Sequence, residues 1–257
     1  MEQVANELKN NIIFTPKTKD ELQEAVNLWC EDKEKALNHY GHISNWDTSL
    51  ITDMKMLFYK KTNFNDNINN WNVSNVKDMS GLFNGASKYN QPLTNWNVSN
   101  VADMSYMFHK ASSFNQPLNN WNVSNIEDMT YMFTSAKNFN QPLNKWNVSK
   151  VEIMNWMFMR AKSFNQCLND WNVSSVENMR AMFHKALSFN QPLDNWNVSK
   201  VKDMGSMFSD AILFNQSLNN WDVSNVDDIG FMFYNAQSIN VNNVLWFDSI
   251  KKKLYPA

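Results

Sequence analysis

Residues 71–79 read WNVSNVKDM, and close copies of this phrase begin at every twenty-fifth residue. Each copy opens with a tryptophan, so the chain carries a series of tryptophans at constant spacing: Trp46, Trp71, Trp96, Trp121, Trp146, Trp171, Trp196, Trp221 and Trp246. A fixed period without insertions indicates one structural unit repeated in tandem, each copy contacting its neighbours. The sequence therefore predicts one elongated repeat domain.

The apolar positions of the unit predict its local structure. We number each unit from its tryptophan, which is position 0. Tryptophan at 0 and valine at +2 alternate with polar residues, which predicts a short strand. Apolar residues at +5, +8, +11, +12 and +15 fall within an arc of about 120° at helical spacing, which predicts a short helix. Asn75 and Asp78 precede that helix as a predicted N-cap and first-turn carboxylate.

The predicted fold is an α/β solenoid: a leucine-rich-repeat-like right-handed arc of about eight 25-residue strand–short-helix units, with its strands on the concave side. Residues 42–245 form this array. Residues 1–41 are predicted as an N-terminal cap, in which Thr18 begins a capping-box pattern. An amphipathic helix from about Asp20 to Asn38 follows and ends near Gly41. Residues 246–257 are predicted as a degenerate C-terminal cap.

Bulk properties narrow the function. The formal net charge is -2, so electrostatics does not favour nucleic acid as a partner. No segment is apolar and long enough to span a membrane, and residues 1–11 contain neither an apolar export region nor a lipid-attachment cysteine. We therefore expect no membrane insertion, and a chain that acts inside a cell or has lost its export signal. The oligomeric state is left open, with a monomer preferred.

Metal binding and catalysis are not expected. Acidic residues recur at +7, but a calcium ladder needs several oxygen ligands and glycine-rich turns, and the chain has only five glycines. His109 and His184 share position +13 three units apart, too far to hold one metal. No nucleophile–histidine grouping or glycine-rich phosphate loop is present. The sequence thus predicts no metal, no cofactor and no enzymatic activity.

An asparagine recurs at +19. We interpret this column as an amide ladder that satisfies backbone groups of neighbouring units, and a row of ligand-binding amides is the alternative. Its members are Asn65, Asn90, Asn115, Asn140, Asn165, Asn190, Asn215 and Asn240.

Two candidate binding surfaces remain. Three successive units carry Tyr106, Tyr131 and Trp156 at +10, on the predicted helix face opposite the core, and Met159 lies nearby in sequence. We call the three rings the aromatic row. Aligned aromatic residues on a solvent face are typical of a recognition patch, although lateral helix packing that half-buries them is the simpler alternative. The second candidate is the amide row at +1 on the concave side, represented by Asn97, Asn122 and Asn147, for which a solvated structural face is the simpler alternative.

The full phrase, WNVSNVxDMxxMFxxAxxFNQPL, resembles the 25-residue repeat of mycoplasma-type surface lipoproteins, which are grouped with the BspA-like leucine-rich repeats. The resemblance covers residues 42–245. It implies a cell-surface or secreted location and a binding role, often adhesion, without enzymatic activity. The chain departs from that family in lacking a signal peptide and a lipid-attachment cysteine, so the resemblance alone suggests the surface location.

The leading functional hypothesis is a non-enzymatic module that binds a protein or glycan through its surface. The alternative is a structural protein that assembles by stacking of its ends or faces. An enzyme ranks third.

Overall fold

The computed structural model describes residues 13–255. Helices occur only at the two ends of this range. They are α1, Lys19–Glu31; α2, Lys33–Tyr40; and α3, Phe247–Leu254, together with the short 3₁₀ helices Ile43–Asn45 and Val241–Asn243. Eight units of 25 residues begin at Trp46, and the last of them, which begins at Trp221, contains the 3₁₀ helix Val241–Asn243.

Two helices form the N-terminal segment where the sequence predicted one. The Thr18 hydroxyl accepts a hydrogen bond from the backbone N–H of Glu21 at 3.2 Å, which confirms the predicted N-cap. Asp32, with φ of -141°, leaves the helical region and separates α1 from α2. Its carboxylate then caps α2 by accepting from the N–H of Lys35 at 3.0 Å. Gly41, at φ of 69°, ends α2. Residues 1–12 of the predicted cap lie outside the described residues.

The predicted α/β solenoid of leucine-rich-repeat type is wrong. Within residues 46–240 the structure contains no α-helix and no strand. The segment predicted as a helix passes through successive turns. Each turn is closed by a backbone N–H that donates to the carbonyl three residues earlier, as the N–H of Leu82 does to the carbonyl of Met79 at 3.1 Å. The tryptophan–valine segment forms no strand. Units meet in single-residue parallel bridges at +7, such as Asp53 with Asp78.

The backbone dihedral angles explain why the helix does not form. A helix needs negative φ at every residue, whereas φ lies between 51° and 78° at +10 and +14 in all eight units. These left-handed residues interrupt the helical path. Without a helix to cap, the predicted N-cap is also wrong. Asn75 instead donates its side-chain N–H to the Ser49 carbonyl at 2.8 Å, and Asp78 accepts from the backbone N–H of Ser80 at 2.8 Å.

Alternate backbone groups in this segment link one unit to the next. The N–H groups at +8, +10, +12 and +14 donate to carbonyls of the following unit, as Phe58 does to Leu82 and Lys60 to Asn84, at 2.9 and 2.8 Å. The intervening N–H groups close local turns. Buried backbone groups must be paired, and this alternation pairs them without regular secondary structure.

The core consists of aligned aromatic and aliphatic columns. Phenylalanines at +12 stack on those of the next unit with ring centroids 5.4–5.7 Å apart. Rings at +18 lie 4.0–4.2 Å from the +12 ring of their own unit. Tryptophan, valine and methionine columns are buried beside them. Each unit therefore buries its apolar side chains largely against its neighbours.

Polar side chains connect the units as well. Each tryptophan from Trp71 to Trp246 donates its indole N–H to a carbonyl 28 residues earlier at 2.8–3.2 Å. Each +19 asparagine side chain from Asn65 to Asn215 accepts from the backbone N–H of the next +19 asparagine at 2.8–2.9 Å. The interpretation of this column as a structural amide ladder is confirmed.

Tyr89 differs from the phenylalanines of the +18 column by its hydroxyl group. It is fully buried, and its hydroxyl has no hydrogen-bond partner among the described residues. Burial raises the pKa of this phenol well above its ordinary value. An unpaired buried hydroxyl costs about 1–3 kcal/mol. We expect Tyr89→Phe to raise the free energy of unfolding by about 1 kcal/mol in chemical denaturation.

Phe114, at the same position one unit later, provides the reciprocal change. Phe114→Tyr should destabilise the chain by a similar amount because it buries an extra hydroxyl. A Tyr89→Phe variant less stable than the native chain would contradict this account of the column.

Candidate binding surface

The aromatic row lies on the turn segment of three adjacent units, and the convex helix face predicted for it does not exist. The ring centroids of Tyr106 and Tyr131 are 4.6 Å apart, and those of Tyr131 and Trp156 are 4.7 Å apart, with interplanar angles of 18° and 11°. All three residues have φ of 57° and are half-buried. The structure thus brings the three predicted residues into one continuous stack.

Neighbouring polar groups border the row. The ring of His109 lies 5.7 Å from Tyr106 and 5.9 Å from Tyr131. Burial raises the pKa of Tyr106, and nearby Tyr131 and Asp128 raise it further; burial also raises the pKa of Tyr131. Both phenols are therefore uncharged hydrogen-bond donors at neutral pH.

Met159 belongs to the turn that follows Trp156. Its backbone N–H donates to the Trp156 carbonyl at 3.1 Å, and its own carbonyl accepts from the Ser135 N–H at 2.7 Å. The Trp156 carbonyl also accepts from the hydroxyl of Thr134 in the preceding unit. Met159 is half-buried. The backbone beneath the Trp156 end of the row is thus held by bonds within and between units.

The amide row is exposed, and its side-chain oxygens already form hydrogen bonds within their own units. The side-chain oxygens of Asn97, Asn122 and Asn147 each accept from the N–H two residues later, at 3.1, 3.2 and 3.1 Å. Their side-chain nitrogens have no hydrogen-bond partner within residues 13–255. No strand places these residues on a concave sheet, so the predicted location is wrong. The row offers free side-chain donors, and each side-chain oxygen already accepts one of the two hydrogen bonds that it can take.

The acidic column at +7 serves mainly to close turns. Its side-chain oxygens accept from the N–H at +9, as Asp103 does from Ser105 at 2.7 Å. Arg180 also pairs with Asp203 and Asp228, at 3.4 and 2.8 Å. In the part of the chain that the structure describes, no three histidine, cysteine, aspartate or glutamate side chains are grouped to hold a metal.

A basic groove is the feature that sequence reasoning missed. It has a volume of about 730 Å³ and runs across positions +14 and +16 of successive units. We define it by its five cationic side chains, which are Lys110, Lys137, Arg160, Lys162 and Lys185. Net charge conceals this groove, because acidic residues elsewhere balance it. Counting charges separately in each repeat column would have identified it.

These features define a tandem-repeat protein whose exposed columns vary over a constant core. The chain belongs to the family described as "Mycoplasma protein of unknown function, DUF285", whose profile matches residues 30–146 and again residues 135–246. This membership supports the resemblance to a mycoplasma-type repeat, while the BspA-like leucine-rich-repeat assignment gains no support from it. No curated protein and no solved structure matches the chain. None of the helices within residues 13–255 has the length and apolar character needed to cross a membrane.

His109 makes the aromatic row sensitive to acid. Burial, and then the neighbouring Lys110, lower the pKa of His109 from its ordinary value near 6.5 to about 4. Between these pH values the unfolded chain binds a proton that the folded chain excludes. The contribution of neutral His109 is therefore present above pH 6.5 and is lost as the pH falls towards 4. Because the side chain is only half-buried, we expect a loss of about 1–2 kcal/mol after allowing for solvent screening.

His109→Asn tests this effect, because Asn84 occupies the same position in an earlier unit. Denaturant unfolding of both chains at pH 7.5 and pH 4.5 should show a smaller loss of stability on acidification in the variant. Comparing the change within each chain removes any constant effect of the substitution. Equal losses in both chains would contradict the prediction.

Proposed function

We propose that this protein is a non-enzymatic binding module that recognises a protein or glycan through the aromatic row. The observation that carries the proposal is the continuous stack of three half-exposed rings on a rigid repeat. Tyrosine and tryptophan provide large contact areas at a low cost in side-chain entropy, and they dominate the binding energy of many interfaces.

The two ends of the row favour stacking of a ligand. Gly81 and Ala181 occupy +10 in the units before and after the row. Neither has a ring to extend the stack, so one face of Tyr106 and one face of Trp156 lack a +10 aromatic partner. A planar side chain or a sugar ring of the ligand would stack on one of these two faces. The donors of the amide row could add hydrogen bonds to a large ligand.

The chemistry beside the row supports a binding role. His109, the titratable side chain in contact with it, touches two tyrosine rings and pairs with no carboxylate of the described residues. Its lowered pKa keeps it neutral at physiological pH. Adhesion is a specific form of this proposal that rests on the family resemblance.

The test compares the native chain with Tyr106→Ala/Tyr131→Ala/Trp156→Ala on arrays of glycans and of extracellular and cell-surface proteins. Alanine occurs naturally at this position as Ala181, so the variant should fold, which circular dichroism can verify. Ligands of the native chain should lose at least tenfold in affinity, since each removed ring contributes about 1 kcal/mol or more.

The control is Tyr59→Ala/Phe231→Ala/Tyr234→Ala, which removes three exposed rings outside the row. It should bind as the native chain does. Equal binding by the row variant, or a native chain that binds nothing on either array, would refute the proposal.

A second candidate function, assembly through the ends of the array, is favoured by the last unit. Phe231 and Tyr234 are 73% and 63% exposed. With Phe233 and Phe247 they line a largely apolar cleft of about 530 Å³ beside α3. Exposed apolar clusters of this kind often mark interaction sites. This end could therefore pack against another molecule of the same chain.

Light scattering across a range of concentrations tests assembly. The mass should rise with concentration in the native chain and remain monomeric in Phe231→Ser/Tyr234→Ser. Both serines occur at the same positions one unit earlier, as Ser206 and Ser209. A native chain that stays monomeric at all concentrations would contradict this second candidate.

A further inference from the structure

Basic residues are concentrated on one strip of the repeat. Positions +13 to +17 of the eight units contain eight lysines and arginines but one acidic residue, Asp210. The whole chain has 23 basic and 25 acidic residues, which leaves 15 basic and 24 acidic residues elsewhere. The strip is strongly positive in a slightly negative protein. Its cations are Lys60, Lys61, Lys88, Lys110, Lys137, Arg160, Lys162 and Lys185.

The centre of the strip is the basic groove. Four consecutive units, beginning at Trp96 and ending with the unit of Trp171, each contribute at least one of its five cations. Serine hydroxyls of Ser112 and Ser135 and the aliphatic side chains of Leu187 and Ile212 complete much of the lining. The groove therefore presents positive charge along the direction in which the units are stacked.

Most of this charge is not neutralised by the protein. Lys110, Lys137, Arg160 and Lys162 are exposed and form no ion pair with any residue from 13 to 255. Lys185 lies 3.7 Å from Asp210. Like charges gathered in a cleft repel one another and raise the local concentration of anions. An extended ligand with repeated negative charges would relieve this repulsion in several units at once.

Two classes of polyanion fit the lining poorly. An acidic peptide that binds as an added strand needs free backbone groups, but the N–H groups of Lys110 and Arg160 already donate to Thr134 and His184 at 2.8 Å. Single-stranded nucleic acid is usually held by aromatic rings that stack on its bases, and no aromatic residue lines the groove. Ammonium, guanidinium and hydroxyl groups instead suit a chain that carries anionic groups and hydroxyls together.

We propose that the basic groove binds a linear acidic polysaccharide lying along the stack of units. This inference specifies a ligand class within the proposed binding function and rests on that function. It uses side chains different from those of the aromatic row, so the two proposals can fail separately.

The probe is a fluorescent heparin oligosaccharide, titrated by anisotropy at 50 and 300 mM salt. The groove variant is Lys137→Ser/Arg160→Asn/Lys162→Ser. Serine occurs at +16 as Ser112, and asparagine at +14 as Asn235, where φ is 54°. These substitutions should therefore preserve the fold, which thermal unfolding can verify.

The matched control removes the same charge elsewhere. Lys145→Asn/Lys150→Asn/Lys200→Asn places asparagine where other units carry Asn120, Asn125 and Asn225 at the corresponding positions. We expect at least tenfold weaker heparin binding in the groove variant and less than a twofold change in the control at 50 mM salt. The difference should shrink at 300 mM salt because the charges are exposed to screening.

Several results would overturn the inference. These are no binding by the native chain, equal losses in the groove variant and the control, or equally tight binding of polyglutamate or oligothymidylate of matched charge. A dimer in light scattering that the groove variant abolishes would assign the groove to a second copy of the chain. The aromatic-row variant should retain heparin binding. If that variant loses heparin binding and the groove variant keeps it, the groove proposal alone is overturned.

Discussion

The backbone hydrogen bonds between +8 and +14 are the constraint on which the rest of the structure depends. In this segment, alternate N–H groups donate to the next unit, while most of the intervening ones close turns within their own unit. A helix would direct all of them along its own axis, and a strand would direct them sideways. The mixed pattern requires left-handed residues at +10 and +14. It also fixes the register between units, so that each core position lies directly beside the same position of the next unit.

Alignment of the columns makes stability a property of neighbouring units. A +12 phenylalanine packs on rings before and after it, a tryptophan N–H reaches a carbonyl 28 residues back, and a +19 asparagine receives the N–H of its counterpart. A single unit would leave these groups unpaired and its apolar faces exposed. At the N-terminal end α1 supplies partners instead: Lys19 pairs with Asp53 at 3.0 Å, and Gln23 donates to the Leu57 carbonyl at 3.0 Å. At the other end Tyr255 donates to Asp228 at 2.5 Å.

The sequence predicted the repeat, its buried columns and the asparagine ladder, because all three depend on period and polarity alone. It misassigned the local conformation because +5, +8, +11, +12 and +15 lie on one side of a helix and also on one side of a chain of turns. Left-handed positions are usually indicated by glycine, asparagine or aspartate, but here only Gly81, Gly85, Asp210 and Asn235 give that signal. The aromatic row was recognised from its alignment, whereas the basic groove was hidden by a net charge near zero.

The residues with left-handed backbone conformation are strained, and several of them lie in the two proposed binding surfaces. A left-handed residue other than glycine destabilises the fold by about 1–2 kcal/mol. Glycine at the same position would cost less, because it loses only about 0.5–1 kcal/mol in chain entropy. Yet fourteen of the sixteen positions carry a side chain. Both proposed surfaces use them: the aromatic row occupies +10, and Lys110, Arg160 and Lys185 of the basic groove occupy +14. Strained backbone residues often cluster at functional sites, and the six that lie in the two surfaces agree with the proposed roles. The scaffold can bear this cost because twelve of the fourteen, all except Phe231 and Asn235 of the last unit, also donate their N–H to the following unit.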